Sequence, residues 1–187
     1  VSIRNVANTD PYPKGEMFTG ETTYYRLWRE AEAFSASRGV GGEDRKDAAS
    51  GGAVVGMGFG GSADHWVEYR FATPPLRRPS ILVRVARHTS PGDGREGLWR
   101  VLLDGKEVGS IKPPQTGGWG ESDDHYYWLR VTSTDISAGV HTIRFQSTRA
   151  GNNTNFDGFY LTEGLFDPPD APHTAYLQEQ SEQIQYV

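Results

Sequence analysis

Asn152-Asn153-Thr154-Asn155-Phe156-Asp157-Gly158-Phe159-Tyr160-Leu161 is a polar turn running into an apolar strand. Asn and Gly punctuate it, and Phe156, Phe159 and Leu161 supply the apolar positions. Asn155 and Asp157 are two residues apart, so on an extended chain their side chains share a face. A carboxylate there suits a hard cation such as calcium, which takes oxygen ligands. An amide beside it can donate to one hydroxyl of a sugar and accept from another. A second reading stays open, in which Asn155 shapes the turn and Asp157 caps it.

Working outward, His65-Trp66-Val67-Glu68-Tyr69-Arg70-Phe71 alternates, with Trp66, Glu68 and Arg70 on one face and Val67, Tyr69 and Phe71 on the other. Further strands are expected at Val54-Val55, 80–87, 98–103, 106–111, 126–132, 140–147 and 156–162. Asp104-Gly105 between two apolar runs is a hairpin signal, because both turn positions need positive φ. Residues 25–32 read as a strand with a short helix as the competing assignment. Gly56-Met57-Gly58-Phe59-Gly60-Gly61 reads as a flexible loop. About eight strands at roughly 8–12-residue spacing define an all-β sandwich or barrel. The organisation expected is an N-terminal arm over 1–24 with a short strand at 2–6, a β-sandwich over 25–164, and a Pro-rich linker with a polar segment over 165–187.

Composition narrows the function. The chain has 187 residues, 23 Gly, five Trp, nine Tyr and a net charge of −5. No basic stripe marks a nucleic-acid partner. No apolar run approaches the ~18 residues of a membrane-spanning helix. Without Cys, thiolate zinc sites and thiol nucleophiles are excluded, and the chain is compatible with a bacterial secreted protein. Val1 opens no signal-peptide pattern, which points to a mature or excised piece. Asp64-His65 and Asp123-Asp124-His125 lack metal-binding helical spacing, and no nucleophile, base and orienting group can be named together, so no catalytic site is expected.

The order of motifs resembles a known family. Glu30-Ala31-Glu32, Ala49-Ser50-Gly51-Gly52-Ala53-Val54-Val55-Gly56, Asp64-His65-Trp66-Val67-Glu68-Tyr69, the Asp104-Gly105 hairpin, Thr116-Gly117-Gly118-Trp119, Gly139-Val140-His141-Thr142-Ile143-Arg144 and Asn155-Phe156-Asp157 succeed one another. Over residues 26–164 this series is similar to the carbohydrate-binding modules of families 6 and 35. The resemblance implies a jelly-roll β-sandwich of two antiparallel sheets, attached to a secreted or cell-surface glycoside hydrolase or polysaccharide lyase. It also implies a structural calcium on Glu30, Glu32 and Asp157, completed by an oxygen from the 47–52 loop. Independently, Glu30 and Glu32 share a face if the strand continues through both, and buried paired carboxylates are costly unless neutralised.

The same resemblance implies a glycan site in the loops at one end of the sandwich, with Trp119 at its Trp position and Asn155 at its Asn position. The apolar face of a pyranose stacks on an aromatic ring while an amide orients its hydroxyls. The pattern departs where a Tyr is expected: Met57 stands there, with Phe59 two residues on. An insertion at 120–127 lengthens the loop beside Trp119 and could bring His125 or Tyr126 to the ligand. Two functions follow as expectations. One is a non-catalytic module that carries an attached enzyme to its polysaccharide. The other is a structural or interaction sandwich without a sugar site, docked on a neighbouring catalytic domain.

Overall fold

The computed structural model describes residues 15–18, 24–88, 98–151 and 153–164. Its strands in chain order are β1 (Glu16–Phe18), β2 (Tyr24–Glu30), β3 (Ala36–Arg38), β4 (Glu43–Arg45), β5 (Ala53–Val55), β6 (Trp66–Thr73), β7 (Ser80–Ala86), β8 (Trp99–Leu103), β9 (Lys106–Ile111), β10 (Tyr126–Thr132), β11 (Gly139–Ser147) and β12 (Asn155–Thr162). All pairings are antiparallel, in a seven-stranded sheet of β1, β2, β4, β5, β7, β10 and β12 and a five-stranded sheet ordered β3-β6-β11-β8-β9. This is the expected β-sandwich.

The alternating strands fold as their patterns dictate. In β6, Val67, Tyr69 and Phe71 are fully buried while Trp66 and Glu68 are half-buried and Arg70 is exposed. Asp104 and Gly105 both take positive φ, 49° and 76°, and close the β8–β9 hairpin. Residues 25–30 are strand, not helix, and Ala31 and Glu32 form the turn after it. Three short strands went unread because they lack an apolar rhythm. These are β3, β4 and β1, the last of which pairs with β2 inside the region expected to be an irregular arm. The expected strand at 2–6 and the 165–187 segment lie outside the described residues.

Every residue of β12 is buried, because this strand has neighbours on both edges and cover on both faces. One edge pairs with β7. The other pairs with β2 from Gly158 onward and with β5 at Phe156. The register against β7 shifts between Phe156 and Gly158, so Asp157 is the extra residue of a β-bulge. The bulge lets Phe156 and Phe159, three residues apart, both enter the core between the sheets. There they meet Tyr69 and Phe145 in edge-to-face and tilted contacts with centroids 5.0–6.2 Å apart. Trp99 and Phe59 extend this cluster. On the opposite face of the seven-stranded sheet, Trp28, Leu82, Trp128 and Tyr160 make a smaller cluster. Among the described residues, no helix is long and apolar enough to cross a membrane.

Candidate functional site

Asn155 opens β12 at the end of the sandwich where β7 finishes. Its side chain is buried, and Nδ2 donates to the main-chain oxygen of Trp119 across 2.7 Å. The Trp119 N–H donates to Glu121 Oε2 at 2.8 Å. Both main-chain groups of Trp119 are therefore held by side chains, and its ring is half-buried. His88, at the end of β7, stacks on that ring with centroids 5.9 Å apart and planes inclined 18°. Asn155 Oδ1 also approaches Gly56: a Cβ built there would lie 2.5 Å from it and 3.2 Å from Asp44 Oδ2. Gly56 is thus the tight point where the β5 end, β4 and β12 converge.

The 120–127 insertion is folded down. Glu121 Oε2 lies 3.0 Å from His125 Nδ1, and Glu121 Oε1 lies 3.5 Å from Lys46 Nζ. The His125 ring sits over Gly118, leaving no space for a Cβ there. Tyr126 is buried, its hydroxyl against Gly120 and its ring 3.9 Å under the Arg84 guanidinium. Burial pushes the Tyr126 hydroxyl up from its ordinary pKa. Tyr126 therefore supports the loop from below and is not open to a ligand. Phe59 must also be reassigned. It is fully buried against Trp99, because its turn is tied by Phe59 N–H to Gly56 O and by Thr154 N–H to Phe59 O. The glycine run is an ordered turn pinned by this aromatic, not a flexible loop. Met57, at its tip, is exposed with φ of 50°. His125 is half-buried beside Trp119's loop.

Of the sequence candidates, Trp119, Asn155, Met57 and His125 come together at one end. Asp44, Lys46, Glu121 and His88 join them, and the sequence reading had not singled them out. Their only signal is charged and polar residues within Gly-rich stretches flanking strands. Trp99 and Trp128 are core, whereas Trp28 and Trp66 are half-buried, the latter under Arg144.

The carboxylates read as calcium ligands lie at the middle of the seven-stranded sheet, around the 3₁₀ turn Ser50–Gly52. Glu30 Oε1 accepts from Ser50 Oγ and Trp28 Nε1, both at 2.8 Å. A Cβ on Gly51, whose φ is 67°, would lie 3.3 Å from Glu32 Oε1 and 3.6 Å from the Glu30 carboxyl carbon. The two carboxylates thus flank Gly51, although Glu32 lies in the turn and not on a strand face. Their Oε2 atoms are buried without hydrogen-bond partners. Burial, then Glu30 and Glu43 nearby, push the Glu32 carboxyl up to about 7. Asp157 reaches the same turn and is engaged there: Oδ1 accepts from Ser50 N–H at 2.9 Å and Oδ2 from Arg84 Nη1 at 2.6 Å. Burial outweighs Arg84 and pushes its carboxyl up to about 7. Among the described residues no three acidic or histidine side chains form a metal-holding cluster. The orphaned oxygens of Glu30 and Glu32 fit a hard cation; Asp157 has its cationic partner in the Arg84 guanidinium.

Solved structures that this chain resembles include carbohydrate-binding modules. The C-terminal family 6 module of the Zobellia galactanivorans laminarinase LamC aligns with a TM-score of 0.55 and 22% identity, covering 74% of this chain and 99% of that one. A family 6 module of Cellvibrio mixtus lichenase 5A, solved with cellotriose, gives 0.57 and 21%, covering 75% and 98%. A family 35 module from Clostridium thermocellum gives 0.54 and 21%, covering 74% and 98%. No family model and no curated protein sequence matches the chain. The fold is that of the family 6 and family 35 modules, and the likeness expected from the motif order holds at the level of architecture.

Proposed function

We propose that this chain is a non-catalytic glycan-binding module whose ligand lies against Trp119. The observation that carries the reading is the Trp119 indole itself. It is a half-buried aromatic at the end of the sandwich, on a residue whose main-chain N–H and carbonyl are both held by side chains. A loop anchored this way presents the apolar face of the ring to a pyranose with less to order at binding. Asp44, Lys46 and Glu121 supply hydroxyl partners around it. The module would carry an attached secreted polysaccharide-degrading enzyme to its substrate, where tethering adds avidity to a weak single site. Glu30 and Glu32 would hold a structural calcium beside Gly51, contributing folded-state stability and no chemistry to the ligand.

Affinity electrophoresis against β-glucans, xylan and mannan tests the reading. Retardation by one polysaccharide, lost in Trp119→Ala, is the expected result. Equal retardation of the variant removes Trp119 from the site.

A structural sandwich without a sugar site is the second reading. It is favoured by Asn155, whose amide is spent on Trp119, and by Phe59, whose burial withdraws it as a second aromatic opposite the indole. No retardation by any polysaccharide would select it.

A further inference from the structure

Two features of the Trp119 end are not explained by a ring that merely lies on the surface. The first is Glu121. Its Oε2 accepts the Trp119 N–H at 2.8 Å and stands 3.0 Å from His125 Nδ1, while Oε1 stands 3.5 Å from Lys46 Nζ. One carboxylate of the insertion thus ties the Trp119 main chain to the loop after β4 and stands beside the His125 ring. The second is His88. Its ring lies near parallel to that of Trp119, with centroids 5.9 Å apart and planes inclined 18°, and so packs against the indole with an offset. A sugar gripped between two aromatics needs both rings to face the ligand. Here the ring parallel to the indole is an offset imidazole, and Met57 is exposed and not aromatic.

Resting on the glycan reading above, we infer that His88 and Glu121 are positioning residues that fix Trp119 as a platform for a flat pyranose face of a glycan chain. Glu121 sets the height of the ring through its main chain. His88 sets the tilt through its face. Asn155 completes the hold through the carbonyl, so the insertion replaces the second aromatic with rigidity of the first. Preorganisation of a single ring recovers affinity by removing the entropy cost of fixing it, on the scale of about tenfold for one ordered side chain.

The full chain labelled with ¹⁵N gives one indole signal per Trp, and Trp119→Phe identifies the one that matters among five. His88→Ala and Glu121→Ala are expected to shift and broaden the Trp119 signal and to raise its quenching by iodide, with the melting temperature held. His88→Phe keeps a stacking face and Glu121→Gln keeps an oxygen acceptor, so both should restore the wild-type signal. Cellotriose titration reads the ligand side: up to about tenfold weaker binding in the two Ala variants and recovery in Phe and Gln. An unmoved Trp119 signal in both Ala variants overturns the positioning roles. If the signal moves and is rescued but wild type binds neither cellotriose nor any polysaccharide of the panel, the positioning stands and the glycan reading falls.

Discussion

Arg84 Nη1 donates to Asp157 Oδ2 across 2.6 Å, between side chains that are 7% and 0% exposed. The guanidinium also reaches the Ala48 carbonyl at 3.2 Å and covers the Tyr126 ring. It therefore closes the bulge of β12, the loop before the 3₁₀ turn and the foot of the insertion at once. Removing one partner of a buried pair leaves the other charge uncompensated, at about 3–5 kcal/mol. Arg84→Met should lose stability on that scale in urea unfolding. Arg84→Met with Asp157→Asn should lose clearly less, since the orphaned charge is gone. Equal losses in the single and double variants would show that packing, not charge pairing, sets the cost.

Glu32 makes stability depend on pH in a stated direction. Its carboxyl has a folded value pushed up to about 7, from an ordinary value of 4.5, chiefly by burial. A raised carboxyl binds its proton more tightly folded than unfolded, so its contribution is full below the unfolded value and is lost as pH rises through the folded one. In chelator, melting temperature should therefore rise as pH falls from about 8 to about 5. Glu32→Gln should flatten part of that slope. A calcium-dependent rise in melting temperature at pH 8 that vanishes in Glu32→Gln would support the cation beside Gly51; no calcium effect at any pH would remove it.

The β8–β9 hairpin has the opposite sign. Burial alone would raise the Asp104 carboxyl, but His141 Nδ1 at 2.7 Å and the Thr142 N–H at 2.7 Å hold it below the ordinary value. A depressed carboxyl stabilises above its unfolded value and loses that contribution as pH falls through the folded one. Asp104→Asn should therefore cost stability at neutral pH and cost progressively less in acid below about pH 4. A constant difference between wild type and variant across that range would mean the His141 contact carries no charge-dependent energy.

How much of this was legible in the chain follows from the range of each interaction. Alternation in 66–71 and the Asp104-Gly105 turn are local, and both strands and hairpin follow from them. The burial of Phe59 was also within reach, since a lone large aromatic in a glycine run is more often anchored than exposed. Arg84 was not legible: it sits in the Val-rich run 80–87, and its partner is 73 residues away, so nothing nearby marks it as buried and paired. The bulge at Asp157 depends on the register of β12 against β7, which periodicity within one strand does not encode. That Trp119 lies in a loop was legible, because Gly117-Gly118-Trp119 announces a turn with an aromatic. The roles of His88 and Asp44 depend on which loops meet, and only the assembled sheets decide that.

Gly56 tests whether the convergence at the site matters apart from the fold. The residue is buried, its φ is not in the positive range, and the backbone itself would accept an alanine. A methyl there, however, would stand 2.5 Å from Asn155 Oδ1 and 3.2 Å from Asp44 Oδ2. The Asn155 side chain must move, and its bond to the Trp119 carbonyl goes with it. Gly56→Ala is expected to cost roughly 1–3 kcal/mol, the range for an overpacked site. It should disturb the Trp119 indole signal as His88→Ala does, while Gly105→Ala, at the hairpin tip where nothing lies within 4 Å, strains its turn and leaves that signal alone. If Gly56→Ala melts lower but leaves the Trp119 signal in place, Asn155 is a packing residue and the hold on the ring rests on Glu121 and His88.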